Sequence, residues 1–207
     1  MTNLIDLTHI FTDNMPVYPG DDCSKLYQSD FIKDCGVSDH TIKSGMHVGT
    51  HMDAPLHMVE GGALICEFPV DKFQNRGVLI DARGIDIIDA DILEKYDIKE
   101  NDIVLVWTGW DKKYRSDAYF KSWPIMTVGF AQALVDKKIS LIGMDTAGPE
   151  MEETFPVHKT FLPNDVLIVE NMANLSALEN VTNFIVHAYP IKYEADAAPV
   201  RIVAEIL

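Results

Sequence analysis

The 207-residue sequence predicts an α/β fold, a mixed β-sheet with a few helices. Short apolar runs bounded by turn residues read as strands. Capped segments with helical spacing alternate with those strands in the middle of the chain. Strands dominate both ends, which argues against a repeat architecture. The composition, 47% hydrophobic and 24% charged, is that of an ordinary globular chain. At this length roughly 70% of the unfolded surface can be buried. No linker divides the sequence, so residues 1–207 are expected to form one domain.

The elements follow in order. Leu4 to Leu7 reads as a first strand, and the loop after it carries Pro16, Pro19, Gly20, Asp21 and Asp22. Residues 24–46 alternate loosely between polar and apolar, which suits a hairpin. Val78 to Ile80 is a short strand. Asp89 can cap a helix over Ala90 to Tyr96, and Ile103 to Trp107 is a buried strand. Thr127 can cap a second helix containing Phe130, Leu134 and Val135. That helix ends in Lys137-Lys138, cations favoured at the negative C-terminus. Ile139 to Met144, Val166 to Val169, Phe184 to Val186 and Ile202 to Leu207 complete the strands.

Charge bounds the partners. Seventeen Lys and Arg against 32 Asp and Glu give a formal net charge of −15. Nucleic acid and anionic membranes repel such a chain, because phosphate binding needs clustered cations. Three cysteines, Cys23, Cys35 and Cys66, make neither a CxxC pair nor a disulfide framework. With no basic leader and no apolar run near 20 residues, the sequence reads as cytoplasmic.

Chemistry concentrates in His47-Val48-Gly49-Thr50-His51-Met52-Asp53-Ala54-Pro55-Leu56-His57. Three of the seven histidines and an aspartate fall within these eleven residues. Gly49 and Pro55 oppose a helix. A straight strand fails too, since His47 and His51 would stand about 13 Å apart at ~3.3 Å per residue. The chain must bend between them, and Gly49 is where it can; Pro55 can turn it again before His57. The zincin motif is excluded, because it needs a helix and a Glu after the first His, where Val48 stands. Neutral imidazoles with a carboxylate suit zinc, and also manganese or iron. One carboxylate can bridge two ions. For a second ion His158 and Glu170 are the best remaining donors, Glu170 lying at the end of the apolar run Val166–Val169.

Asp6–His9 (DLTH), Met15–Asp21 (MPVYPGD), the histidine segment, Thr108–Trp110 (TGW), Ile142–Thr146 (IGMDT) and the stretch from His158 through Glu170-Asn171 occur in that order. Together they resemble the cyclase family of metal-dependent hydrolases, which includes kynurenine formamidases and isatin hydrolases. The resemblance runs from residue 4 to about residue 203. It implies the family's swivelling β/β/α domain, assembled as a homodimer or homotetramer. It implies His47, His51 and Asp53 as ligands of a first ion. It implies Asp53, His158 and Glu170 as ligands of a second, with Glu170 also able to reach the first. His57 matches the catalytic acid/base, and Tyr18 an aromatic lining the substrate pocket. The sequence departs from the formamidase branch in having Tyr18 where Trp is common, and Ala147-Gly148-Pro149-Glu150 where a Ser-Val-Asp-Pro-like run is expected.

The expected activity is hydrolysis of an amide C–N bond in a small aryl substrate. An arylformamidase converting N-formylkynurenine to kynurenine and formate is the first choice. The cofactor is one or two divalent ions, zinc first and manganese second, which lower the pKa of water toward ~7. Tyr18, Phe11 or Trp110 could stack on the aryl ring, although Trp110 reads more naturally as core. An isatin-type cyclic amide hydrolase or another hydrolase or dehydratase of the family is the alternative. A non-catalytic metal-binding oligomer is the reading from a different class, distinguished by whether His57 closes the coordination shell.

Overall fold

The computed structural model describes residues 3–207. Twelve strands appear in chain order: β1 (Leu4–Asp6), β2 (Lys25–Asp30), β3 (Asp39–Lys43), β4 (His51–Asp53), β5 (Gln74–Asp81), β6 (Ile87–Ile88), β7 (Ile103–Trp107), β8 (Ile125–Met126), β9 (Leu141–Met144), β10 (Leu167–Glu170), β11 (Phe184–Pro190) and β12 (Ala197–Ile206). Three short α-helices accompany them: α1 (Ile32–Cys35), α2 (Val128–Asp136) and α3 (His158–Phe161).

Eight strands form one mixed sheet in the order β1-β12-β11-β5-β7-β9-β10-β4. β4 also pairs with β12, which closes the sheet into a barrel. β12 is long enough to do both jobs. Its first three residues pair with β4 and its remainder with β11. β5, β7, β9 and β10 run parallel, and the connections between them carry the helical segments.

That topology explains the apolar runs. Ile103, Leu105 and Trp107 of β7 join Met52, Val169, Val186 and Ile202 in the barrel interior. Val104 and Val106 point the other way, into a second core with Ile142 and Ile168, Phe130 and Leu134 of α2, and Phe161 of α3. A parallel strand covered on both faces has no polar side, so it reads as a continuous apolar run. The hairpin β2–β3 stands apart, with every residue of β3 exposed.

Most sequence-predicted elements lie where expected. Thr127 caps α2 by accepting the Phe130 N–H at 3.0 Å. The helix expected over Ala90 to Tyr96 is instead a 3-10 helix, Ala90–Lys95. The Asp89 carboxylate accepts the adjacent Ala90 N–H (2.8 Å) and the Thr127 hydroxyl (2.7 Å), so no N-cap bond to a deeper N–H steers the first turn into α geometry. β5 and β11 extend beyond the apolar triplets that announced them, because polar residues such as Gln74, Asn75, Arg76 and His187 still pair through the backbone. Among the described residues no helix is long and apolar enough to cross a membrane.

Candidate metal centre

The centre is built on the outer wall of the barrel, where β4 meets β10. In β4, Met52 turns into the barrel core, so His51 and Asp53, two residues apart, face outward together. Antiparallel pairing sets Glu170 opposite His51 and Ile168 opposite Asp53. Val169 takes the inward position, which leaves Glu170 on the same outer face. His47 arrives through the bend anticipated at Gly49, whose φ of +73° is a left-handed conformation that disfavours other residues. Pro55 begins a single 3-10 turn, Pro55–His57, which lifts His57 over the cluster. His158 enters from the first position of α3. Five of the anticipated donors are thus brought together with the anticipated acid/base.

The distances are short. Asp53 Oδ1 lies 3.0 Å from His47 Nδ1 and 3.3 Å from His51 Nε2. Asp53 Oδ2 lies 3.8 Å from His158 Nε2. The Glu170 carboxylate spans two histidines, at 3.4 Å from His51 Nε2 and 3.1 Å from His158 Nε2. The His57 ring sits 4.1 Å from that of His47 and 5.9 Å from that of His158.

Each donor imidazole is held by its other nitrogen. His51 Nδ1–H donates to the Gly49 carbonyl (2.8 Å), and His158 Nδ1–H to Glu150 Oε1 (2.7 Å). His47 Nε2–H donates to Asp196 Oδ2 at 2.9 Å. Tying one nitrogen to a protein acceptor fixes the ring and aims the other at the centre, as in metal sites. His51 Nε2 and both Asp53 oxygens are buried with no hydrogen-bond partner. Such orphaned atoms cost free energy unless something satisfies them. A divalent cation would satisfy all three, so the residues present fit one. The donor atoms of His47, His51 and Asp53 lie within 4.8 Å of one another, as do those of Asp53, His57 and His158.

The electrostatics favour positive charge at the cluster. Burial alone would lower His47, but Asp53 and Asp196 lift it to about 10. His51 and His158 are raised as well: burial opposes this, while Asp53 acts on both, Glu170 on both and Glu150 on His158. Asp53 is held well below the ordinary carboxylate value; its burial opposes the drop, and the surrounding histidines drive it. Protons and a metal ion compete for the same nitrogens. His57 behaves differently. Burial lowers it, with Asp53 pulling the other way and His47 and His158 adding to the drop. An imidazole kept neutral is available as a base.

A cavity of about 260 Å³ opens beside the cluster, reached by His47, His57, His158 and Glu170. Tyr18 lines it, set edge-on to Phe120 at 6.0 Å, and Phe155 and Met58 complete the apolar wall. A larger cleft of about 530 Å³, lined by Arg76, Tyr96, Trp107 and Glu179, contains no histidine.

Neither Phe11 nor Trp110 lines the cavity. Both pack against a small core that includes Met15, Val48, Tyr114 and Tyr119, and Trp110 Nε1 donates to the Tyr119 carbonyl. His9 stacks on Tyr114, His187 faces Glu205, and His40 is exposed. Sequence reasoning missed Glu150, Asp196, Phe120 and Phe155. Glu150 and Asp196 both stand outside the histidine segment; Glu150 was marked only as the end of the run that departs from the formamidase branch, and no local pattern marked Asp196. The two phenylalanines lie in loops, where aromatic residues carry no periodicity.

Histidines and carboxylates converging beside an aromatic-walled cavity, on a closed mixed barrel, form a candidate centre for a divalent metal. Comparison with known sequences narrows the class. The Cyclase family profile matches residues 5–151, and the chain belongs to that family. The kynurenine formamidase of Erythrobacter litoralis is 27% identical over 203 residues, covering 96% of this chain and 87% of the relative. A solved structure of a potential metal-dependent hydrolase with cyclase activity is 31% identical and superposes with a TM-score of 0.80, over 97% of this chain and 96% of that one. An isatin hydrolase bound to thioisatinate, 21% identical, shares the fold with a TM-score of 0.88 over 97% and 91% of the two chains.

Proposed function

We propose that this protein hydrolyses the amide C–N bond of a small aryl substrate, with N-formylkynurenine as first choice, releasing kynurenine and formate. The observation that carries the reading is the convergence of orphaned, buried donor atoms beside an aromatic cavity. His47, His51 and Asp53 would hold one divalent ion, with Glu170 in reach. Asp53, His158 and Glu170 would hold a second. Zinc suits this donor set best, with manganese next. When bound, such ions lower the pKa of water and polarise the carbonyl.

The chain's own residues do the rest. His57, neutral and at the cavity wall, takes a proton from the attacking water and returns it to the departing amine. Water adds to the formyl carbon, the C–N bond breaks and formate leaves. Tyr18, Phe120 and Phe155 offer ring faces and edges to an aryl group. The family resemblance and the formamidase relative support the choice of substrate. All three cysteines are free, which suits a reducing cytoplasm. The exposed apolar side chains Tyr27, Ile32 and Ile42 on the β2–β3 arm suit a homodimer or homotetramer, to be read by light scattering.

The test is a panel assay on zinc- and manganese-loaded protein with N-formylkynurenine, isatin and simple aryl esters. Turnover of N-formylkynurenine, lost in His57→Ala with metal content intact, is expected. Loaded protein that leaves N-formylkynurenine untouched refutes the substrate; turnover of isatin alone moves the assignment to the cyclic amide.

A further inference from the structure

We infer that Glu150 is a positioning residue: it locks His158 in the tautomer and orientation that present Nε2 to the centre. The inference rests on the proposed metal centre. Glu150 Oε1 lies 2.7 Å from His158 Nδ1 and 3.3 Å from the His158 backbone N–H. Two donors of one residue thus meet one carboxylate oxygen, which fixes both the ring and the start of α3. Both side chains are buried, Glu150 at 7% and His158 at 5% exposure.

A buried carboxylate is expensive, and here its second oxygen, Oε2, has no hydrogen-bond partner. The surrounding backbone is anchored so that the carboxylate stays in place. The Met126 N–H donates to the Pro149 carbonyl at 2.7 Å, and Trp123 Nε1–H and the Thr146 hydroxyl both donate to the Gly148 carbonyl at 2.9 Å. Gly148 leaves room for the neighbouring donor as well, since a Cβ there would approach Glu170 Oε1 to 3.2 Å. The segment Ala147-Gly148-Pro149-Glu150, set apart in the sequence from the formamidase-like run, is therefore the strap that carries this residue. A carboxylate on the outer nitrogen also raises the basicity of a ligating imidazole.

Two near-isosteric variants test this. Glu150→Met keeps the length and removes the acceptor; Glu150→Gln keeps an acceptor oxygen without the charge. Zinc is titrated by calorimetry into chelator-stripped wild type and variants, and unfolding in EDTA reports the fold separately. Glu150→Met is expected to weaken the ion at His158 by about 10–100-fold. Glu150→Gln, which keeps the acceptor that orients the ring but loses the charge, is expected to lose clearly less than Glu150→Met. Long-range 1H–15N spectra of zinc-loaded wild type should show His158 protonated at Nδ1, a signal that disperses in Glu150→Met. Wild-type affinity and an unchanged His158 signal in Glu150→Met overturn the inference, as does an equal loss in both variants. Wild type that takes up no zinc overturns the metal centre itself, a result distinguishable from these.

Discussion

His51→Ala removes one ligand from the proposed first ion without disturbing the protein surface, since His51 is 1% exposed. Structural zinc sites contribute about 10–16 kcal/mol from four ligands, so one ligand is worth roughly 3 kcal/mol, or on the order of 10²-fold in affinity. Ligand binding stabilises a fold by RT ln(1 + [L]/Kd). At zinc equal to 100 times the wild-type Kd that is about 2.7 kcal/mol. For a chain of this size each kcal/mol moves Tm by about 2–4 °C, so zinc should raise the wild-type Tm by roughly 5–10 °C. At the same zinc concentration the variant sits near [L]/Kd of 1, gains about 0.4 kcal/mol and shifts by ~1 °C. The assay is a thermal melt with and without zinc, paired with metal analysis after dialysis. The EDTA baseline isolates the packing lost with the imidazole and its bond to the Gly49 carbonyl. A variant that keeps its zinc through dialysis and shows the full wild-type shift refutes the assignment of His51 as a ligand.

Three further outcomes follow from the fold. Asp145→Ala strands the Thr108, Gly109 and Trp110 N–H groups and the Thr108 hydroxyl, all of which donate to this buried carboxylate. A loss of about 3–5 kcal/mol in urea unfolding is expected, and a loss below ~1 kcal/mol would show that the carboxylate is not what holds the loop. Gly77→Ala would place a Cβ 2.0 Å from the Phe184 ring, so the variant should unfold at least ~2 kcal/mol more easily; an unchanged midpoint contradicts the close approach. Burial holds His9 at about 4, below its unfolded value of 6.5, with Asp111 opposing and Arg115 adding to the drop. The unfolded chain therefore binds the extra proton, and this stability is present above pH 6.5 and lost as pH falls toward 4. Discounted for partial exposure, the effect is about 1–2 kcal/mol. His9→Phe should flatten that part of the pH–stability curve, and an identical slope in both proteins excludes His9 as its source.

The legibility of the fold followed the strength of local signals. The run Ile103–Trp107 announced a strand buried on both faces because no polar residue interrupts it, and Thr127 announced a helix because capping is a contact within four residues. Asp89 does cap the helix that follows it, but the 3-10 geometry of that helix was not legible. Its carboxylate bonds to Thr127, 38 residues away, and that partner cannot be read from the local pattern. The cluster of His47, His51, Asp53 and His57 was legible because its four side chains fall in one short segment, with Gly49 and Pro55 supplying the bends that let them converge.

The sequence by itself determined the longer apolar strands, the Thr127-capped helix, the bend at Gly49 and the donor-rich segment, all of which depend on neighbours in the chain. Only the tertiary structure decided that the centre lies on the outer wall of a closed barrel, with Glu170 across from His51 and Glu150 behind His158. It also decided which aromatics face the cavity: Phe120 and Phe155 do, whereas Phe11 and Trp110 pack elsewhere. Strand register and barrel closure bring together residues more than a hundred positions apart, as His47 and Asp196 show at 2.9 Å. Such contacts arise from the free energy of the whole fold, and no window of sequence contains them.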